Sequence, residues 1–160
     1  MSNYELDAVD RGILHLLQQD ARNNTPADIA DIVGVAPNTV RNRLERLETS
    51  GVVNGYHPHI DYERAGYQLR VWFFCTVPIS DRTEIADRLL TIDGVIQVVE
   101  ILSGQNNIAT EVVAESSDDL TEIATEIEDI GGRIENEMFL KNTRVQPFDH
   151  FSVEDAGEGD

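Results

Sequence analysis

The segment of residues 36–51 places side chains that could read DNA on one helix. Val40, Leu44 and Leu47 recur at helical spacing and therefore share an apolar stripe. Much of the remaining surface is asparagine and arginine. An arginine can donate two hydrogen bonds to guanine or bind a phosphate, and an asparagine can pair with adenine. An apolar back and such a front are what a helix in the major groove requires.

The candidate DNA-binding residues are the polar side chains of this helix. We predict contacts to base edges from Asn38, Thr39 and Asn42. We predict contacts to phosphate or guanine from Arg41, Arg43 and Arg46. Arg43 lies nearer to the apolar stripe, so a role in supporting the fold stays open for it. Because many charged helix faces are merely solvated, the flanking elements must decide whether this helix reads DNA.

Two shorter patterns precede it. Apolar residues at helical spacing predict a first helix over residues 7–20. Thr25 can cap a second helix over residues 26–33, whose first position is a proline, and Gly34 then turns the chain. A short helix, a tight turn and a second amphipathic helix form the helix-turn-helix pattern.

The segment after this helix predicts a wing. Asn54-Gly55 lies between β-prone stretches and is a strong hairpin signal, so a small ribbon is expected over residues 52–60.

The helix of residues 36–51 itself starts without a side-chain cap, because Ala36 precedes its first proline.

Many spaced residues of this region resemble the Lrp/AsnC (feast/famine) family of transcription regulators. The matching patterns are Leu6-Asp7-x-x-Asp10-Arg11-x-Ile13-Leu14, Leu17-Gln18-x-Asp20-x-Arg22, Ile29-Ala30-x-x-Val33-Gly34-Val35, Val40-x-x-Arg43-Leu44-x-x-Leu47-Glu48 and Gly51-Val52-Val53-x-Gly55-Tyr56. The family usually has serine where this chain has Ala36. The resemblance implies a DNA-binding domain followed by a domain that binds effectors and oligomerises.

The rest of the chain predicts a four-stranded sheet with two helices. Strands rich in aromatic and β-branched residues are predicted at 69–77, 95–102, 108–113 and 134–140. Asp81 with Glu84 predicts a capped start for the first helix, and Ser117 begins the second. The order βαββαβ is that of a ferredoxin-like sheet with both helices on one face. The predicted fold class is α+β, a winged helix-turn-helix followed by a ferredoxin-like domain.

This arrangement predicts both the domain boundaries and a dimer. The boundaries are 1–60 for the DNA-binding domain, 61–68 for a linker, 69–151 for the ligand-binding and dimerisation domain, and 152–160 for a disordered acidic tail. Nothing else in the chain is large enough to cover the bare sheet face, so a second subunit is expected there. A homodimer or higher oligomer would bind a near-palindromic promoter site.

The family resemblance also implies an effector loop. Small effectors, often amino acids, bind such proteins near the glycine-centred loop between strands two and three, so Gly104, Gln105 and Asn107 are the candidate effector residues. The usual Gly-Asp-x-Asp is replaced here by Gly-Gln-Asn-Asn, which has no carboxylate for an ammonium group. A different effector, no effector, or a plain turn with Gly104 at positive φ all stay open.

The charge of the chain sets a condition on DNA binding. The formal net charge is −18, and of 12 basic residues only Lys141 is a lysine. Such a composition resembles that of proteins from salt-loving organisms and, with the family resemblance, indicates a haloarchaeal source; an acidic mesophilic protein is the alternative. This charge repels DNA in dilute buffer, but at about 1 M salt the Debye length is only ~3 Å. Binding is therefore expected in brine.

The remaining patterns weigh against other classes of protein. The only cysteine, Cys75, is interpreted as a core residue, and no catalytic set, phosphate loop or metal motif is recognised, so no cofactor, metal or enzymatic activity is predicted. Neither a signal sequence nor a membrane span is recognised, which favours the cytoplasm. Two rivals stay open: an enzyme similar to siroheme decarboxylases, and a metabolite-sensing partner of related regulators that does not itself bind DNA.

Overall fold

The computed structural model divides the chain into two compact units. It describes residues 4–102, 104–148 and 151. The first unit contains the chain up to Pro58 and also the segment from Arg144 onward, whereas the second unit is His59–Thr143. The chain therefore crosses between the units twice. Residues 61–68, predicted to be a linker, fall within the second unit, and the predicted tail over 152–160 lies outside the described residues.

Three helices form the first unit. They are α1 (Ala8–Asp20), α2 (Pro26–Val33) and α3 (Pro37–Thr49). Reciprocal capping boxes start α1 at Asp7 and α2 at Thr25, whereas Ala36 gives α3 no side-chain cap, as predicted. Gly34 ends α2 with φ of 80°, a conformation that glycine adopts without steric cost. The core comprises Ile13, Leu14, Leu16, Ile29, Ala30, Val40 and Leu47.

The ribbon predicted over residues 52–60 is not formed, since none of these residues lies in a strand. A two-residue hairpin turn of type I′ needs positive φ at both central residues, yet no described residue other than glycine has positive φ, so Asn54 does not adopt it. The main-chain N–H of Val53 instead donates to the carbonyl of Leu47 at 3.0 Å and closes the end of α3. The segment that follows α3 is irregular and largely exposed.

The segment from Arg144 contacts the helices of the first unit through the main chain of Phe148 and the ring of Phe151. The main-chain N–H of Phe148 donates to Gln18 Oε1 at 3.3 Å. The Phe148 ring meets the Phe151 ring edge-on, with centroids 5.0 Å apart, and Phe151 packs against the apolar core of the unit.

The second unit is an antiparallel sheet with two helices. Its elements are β1 (Leu69–Thr76), α4 (Arg82–Leu89), β2 (Val95–Glu100), β3 (Ile108–Ala114), α5 (Ser117–Asp129) and β4 (Arg133–Phe139). The strand order is β2-β3-β1-β4, which agrees with the predicted ferredoxin-like topology. Among the residues that the structure describes, no helix combines the length and the apolar composition that crossing a membrane would require.

One face of this sheet carries the core. Side chains of β1 alternate, so that Val71, Phe73 and Cys75 are buried with the apolar residues of α4 and α5, whereas Trp72 and Phe74 point to the other face and are half-buried. The predicted cap of α4 is wrong, because Asp81 makes no side-chain capping hydrogen bond and a 3₁₀ turn over Ile79–Asp81 leads into the helix instead.

The second unit also contains residues 61–68, which form a hydrogen-bonded turn. The main-chain N–H of Arg64 donates to the Asp61 carboxylate at 3.1 Å, and that of Tyr67 donates to the carbonyl of Tyr62 at 2.8 Å. Tyr62 also lies against the Arg70 guanidinium, whose carbon is 5.9 Å from the ring centroid. The turn is therefore an ordered part of the unit.

Candidate functional site

Helix α3 has a buried back and an exposed polar front. Val40 and Leu47 are completely buried in the first unit. On the opposite side Asn38, Arg41 and Asn42 are exposed, and Thr39 is half-buried at the flank. Within the described residues Arg41 makes no salt bridge, so its guanidinium is available to a ligand. The helix thus presents donors and acceptors on a surface that its own apolar residues hold in place.

Arg43 is directed away from this front and binds two carboxylates of α1 and its cap. Its Nη1 lies 2.6 Å from Asp7 Oδ2 and 3.3 Å from Asp10 Oδ1. Asp10 is completely buried, so the arginine supplies the charge that a buried carboxylate needs. The two aspartates also cap each other's main-chain N–H groups. Arg43 therefore fixes α3 to the start of α1, which is the role the sequence left open for it.

Tyr4 extends this network toward Arg46. The Tyr4 hydroxyl donates to Asp10 Oδ2 at 3.2 Å, and the Arg46 guanidinium carbon lies 5.4 Å from the centroid of the Tyr4 ring. We call Tyr4, Asp7, Asp10 and Arg43 the Asp10 cluster. Arg46 remains exposed while it stacks on this cluster, so it keeps a charge at the edge of the front.

The Asp10 cluster favours the charged forms of Asp7 and Arg43. Partial burial acts to raise the pKa of Asp7, but hydrogen bonds from Asp10 and Arg43 and the charge of Arg43 hold that pKa below its ordinary value. Desolvation acts to lower the pKa of Arg43, but the two aspartates raise it. A carboxyl with a lowered pKa stabilises the fold above its unfolded pKa, and this contribution is lost as the pH falls through the folded pKa.

The loop of residues 104–107 is built around Asn107. Its side-chain nitrogen donates to the carbonyl of Val77 at 2.7 Å, and its side-chain oxygen accepts from the N–H of Val77 at 2.9 Å. Gly104 has φ of 110°, which favours glycine, and the carbonyl of Gln105 accepts from the Thr76 hydroxyl at 3.1 Å. Asn106 Nδ2 is buried and has no hydrogen-bond partner among the described residues.

Comparison with known proteins shows which proteins share this sequence pattern and this fold. A family model of winged helix-turn-helix DNA-binding domains matches residues 6–54. The transcriptional regulator AldR of Mycobacterium tuberculosis is 36% identical over 124 residues, covering 76% of this chain and 69% of AldR. This chain belongs to the Lrp/AsnC family. The fold is also similar to that of two solved structures, each over 91% of this chain and 99% of the other. They are the leucine response regulatory protein LrpA of M. tuberculosis (TM-score 0.78, 26% identity) and AsnC of Escherichia coli (TM-score 0.71, 25% identity).

Membership of the Lrp/AsnC family assigns DNA-binding regulation of transcription to the chain. The predicted DNA-binding residues of this chain divide into three groups in the structure. Asn38, Arg41 and Asn42 lie together on the exposed front; Thr39 and Arg46 flank it; Arg43 belongs to the Asp10 cluster. The predicted effector residues, Gly104, Gln105 and Asn107, lie in one loop of the second unit, away from these in sequence.

Sequence reasoning missed the partners that hold this Lrp/AsnC helix in place. Asp10 lies among the apolar residues of α1, three residues before Ile13 and therefore on the same side of the helix. A carboxylate within an apolar stripe is a signal of a buried charge, and a buried charge needs a cation. Glu45, on the front of α3, was not among the predicted contacts either.

The hydrogen bond between Tyr56 and Glu48, near the end of α3, can be tested through the pKa of the tyrosine. Its hydroxyl donates to Glu48 Oε1 at 2.9 Å, and partial burial, this hydrogen bond and the charge of Glu48 raise the pKa of Tyr56 to about 12 from 10.0. Because the folded pKa is raised, the stabilisation is complete below the unfolded pKa and is lost as the pH rises through the folded value. The difference in unfolding free energy between the wild type and Tyr56→Phe should shrink between those two values.

Tyrosinate absorbance measures the same property directly. The wild-type titration minus that of Tyr56→Phe should show one group ionising near 12. Tyr67→Phe serves as the control, because it removes a tyrosine of the second unit and should leave that late ionisation in place. A difference titration centred near 10 would contradict the bond to Glu48.

The side-chain amide of Asn107 is expected to stabilise the fold, because it both donates to and accepts from the main chain of Val77. Asn107→Asp removes the donor to the carbonyl of Val77 and places a negatively charged oxygen against that carbonyl. We expect the unfolding free energy to fall by about 1–3 kcal/mol at neutral pH. Urea unfolding at fixed KCl concentration, followed by Trp72 fluorescence, measures it.

The loss at Asn107→Asp should diminish on acidification, because a protonated carboxyl can donate to the carbonyl of Val77 again. Asn136→Asp is the matched control: it makes the same charge change, but Asn136 uses its side-chain oxygen as an acceptor from Glu137, which an aspartate retains. Equal losses in the two variants would show that charge alone is responsible.

Proposed function

We propose that the chain regulates transcription by inserting the front of α3 into the major groove. Asn38, Arg41 and Asn42 contact base edges. Thr39, predicted to contact a base edge, is half-buried at the flank and contacts the DNA backbone, as Arg46 does, and Arg43 holds the helix in position. The observation that carries this proposal is the arrangement of α3, whose buried back fixes an exposed Asn/Arg front. Asparagine pairs with adenine and arginine with guanine in that groove, so the front can discriminate sequence.

The regulator acts as a homodimer. The second unit has helices on one face of its sheet, and the other face exposes apolar side chains, among them Val99 at 37% and Met138 at 49% exposure. Trp72 and Phe74 lie between them on that face. A two-fold contact between two such faces buries them and presents two α3 helices to half-sites about 34–36 Å apart, or a multiple of that, on a near-palindromic operator.

Binding requires high salt. The chain carries a net charge of −18, whereas α3 carries three arginines and two glutamates. The long-range field repels DNA, and at about 1 M salt only charges within ~3 Å of the DNA matter. The single lysine and the excess of carboxylates support a salt-adapted, haloarchaeal protein that works in the cytoplasm.

The effector loop binds its ligand through neutral donors. The buried Asn106 Nδ2 needs an acceptor, and leaving such a donor unpaired costs about 1–3 kcal/mol. A carboxylate or carbonyl of a small effector would supply that acceptor, while the loop between Gly104 and Asn107 offers no carboxylate to an ammonium group. Gly104 turns this loop at positive φ, the carbonyl of Gln105 accepts from the Thr76 hydroxyl, and Asn107 holds the loop to the chain at the end of β1.

A binding titration against the DNA upstream of its own coding region tests the main proposal. Fluorescence anisotropy should show specific binding in molar KCl, with an unrelated DNA of equal length as the control, and weaker binding in dilute buffer. The absence of a specific complex at every salt concentration would refute sequence reading. Tighter binding in dilute buffer would refute the salt requirement alone, and a monomeric mass by light scattering in molar KCl would refute the dimer.

A further inference from the structure

Glu45 lies at the centre of the exposed front of α3. Successive residues of an α-helix are 100° apart, which puts Glu45 only about 20° from Asn38 around the axis. Arg41 and Asn42 flank it on either side, and the buried Leu47 lies nearly opposite. Any DNA that contacts those three polar side chains must therefore also meet this carboxylate.

The carboxylate of Glu45 is not neutralised within the described part of the chain. It makes no salt bridge there, and it is exposed. The hydroxyl of Thr49 donates to its main-chain carbonyl, not to its carboxylate. Arg41 precedes it by four residues, which is the weaker order for an ion pair on a helix, and Arg46 stacks on Tyr4.

A carboxylate in the major groove has few favourable partners. It repels phosphate, and the edges of guanine and thymine offer only acceptors. Adenine offers an N6 amino donor, but its N7 acceptor lies beside that donor and repels a carboxylate. The exocyclic N4 amino group of cytosine is therefore the donor that a glutamate matches. A carboxylate at the centre of the front therefore lowers the affinity for most sequences and stabilises the complex where a cytosine faces it.

We propose that Glu45 is a specificity-determining residue, which accepts a hydrogen bond from the N4 amino group of a cytosine in each half-site. This inference rests on the proposed function, since it requires α3 to lie in the major groove. It extends the set of base contacts beyond Asn38, Arg41 and Asn42. It also gives the acidic helix a way to reject other DNA, because repulsion acts at every site that lacks the cytosine.

Selection of bound sequences from a random duplex library, using the full-length protein in molar KCl, tests this proposal. The wild type should select a motif with cytosine at one position of each half-site. Glu45→Gln should replace that cytosine with adenine, because glutamine pairs with adenine N6 and N7, and should weaken binding to the wild-type motif by about 10- to 100-fold.

Glu48→Gln is the matched control. It makes the same charge change on the same helix, but Glu48 accepts from the Tyr56 hydroxyl at the side of the front. It should keep the cytosine and change the affinity for all sequences alike. Circular dichroism should show the same helix content in both variants, so that misfolding is separated from altered recognition.

The outcomes separate the inference from the proposed function. An unchanged motif in Glu45→Gln would overturn the inference and leave DNA reading by α3 intact. A uniform gain in affinity for all DNA, equal to that of Glu48→Gln, would also overturn it, because Glu45 would then only repel phosphates. If the wild type selects no motif, the proposed function fails and the inference fails with it.

Discussion

Arg41→Ala should weaken binding to the operator by about 10- to 100-fold while leaving the fold intact. The side chain is exposed on the front of α3 and makes no salt bridge among the described residues, so its removal should affect contacts with DNA far more than the stability of the fold. A base or phosphate contact of an arginine is worth about 1–3 kcal/mol. Fluorescence anisotropy at fixed molar KCl measures this loss.

Arg64→Ala controls for the loss of a positive charge. The side chain of Arg64 is 89% exposed in the second unit, and its ion pair among the described residues is a local one with Asp61. Arg64→Ala changes the net charge of the chain by the same amount as Arg41→Ala. An equal effect of the two variants would place the loss in the overall field and would contradict a contact by Arg41.

Asp10→Ala should lower the unfolding free energy of the first unit by about 3 kcal/mol. Removing one partner of a buried ion pair leaves an uncompensated charge and costs roughly 3–5 kcal/mol. The lower end applies here, because Arg43 is partly exposed and keeps Asp7 at 2.6 Å. The variant also removes the acceptor of the Tyr4 hydroxyl and one half of the capping box of α1.

Two probes locate that loss. Urea unfolding at fixed KCl concentration should show an earlier loss of helical circular dichroism, whereas the fluorescence of Trp72, which lies in β1 of the second unit, should report a smaller change. Asp31→Ala is the control, because Asp31 is an exposed carboxylate of α2 in the same unit. If both aspartate variants unfold at the same urea concentration, the ion pair with Arg43 contributes nothing.

Local signals in the sequence were sufficient for the helices and for the four strands of the sheet. Helix α2 lies where the sequence predicted it. Thr25 and the proline after it mark its start, and Gly34 marks its end. The sheet followed from strands of β-branched and aromatic residues interrupted by two amphipathic helices. Asn54-Gly55 misled because a hairpin signal acts only if two strands form, and the chain there closes α3 through Val53 instead.

Contacts between residues distant in sequence could not be predicted in this way. Arg43 meets Asp10 across 33 residues, and Asn107 meets Val77 across 30. The sequence showed that Arg43 lies near the apolar stripe, but not which carboxylates it would find. Likewise, Asn107 stood in an effector motif, and only the fold reveals that its amide completes the hydrogen bonding of the chain after β1. Both are long-range pairs that no periodicity encodes.

The return of residues from Arg144 to the first unit makes the DNA-binding part of the chain discontinuous. A protease that cuts once between Pro58 and His59 would sever one of two covalent crossings and leave the other intact. The helical fragment would also stay in contact with the rest of the chain through Phe151, which packs against its apolar core, and through the main-chain N–H of Phe148, which donates to Gln18 Oε1. A fragment that stops at Pro58 would lack Phe151 and its contact with the apolar core, whereas a circular permutant that joins the two pieces of the first unit would keep that contact.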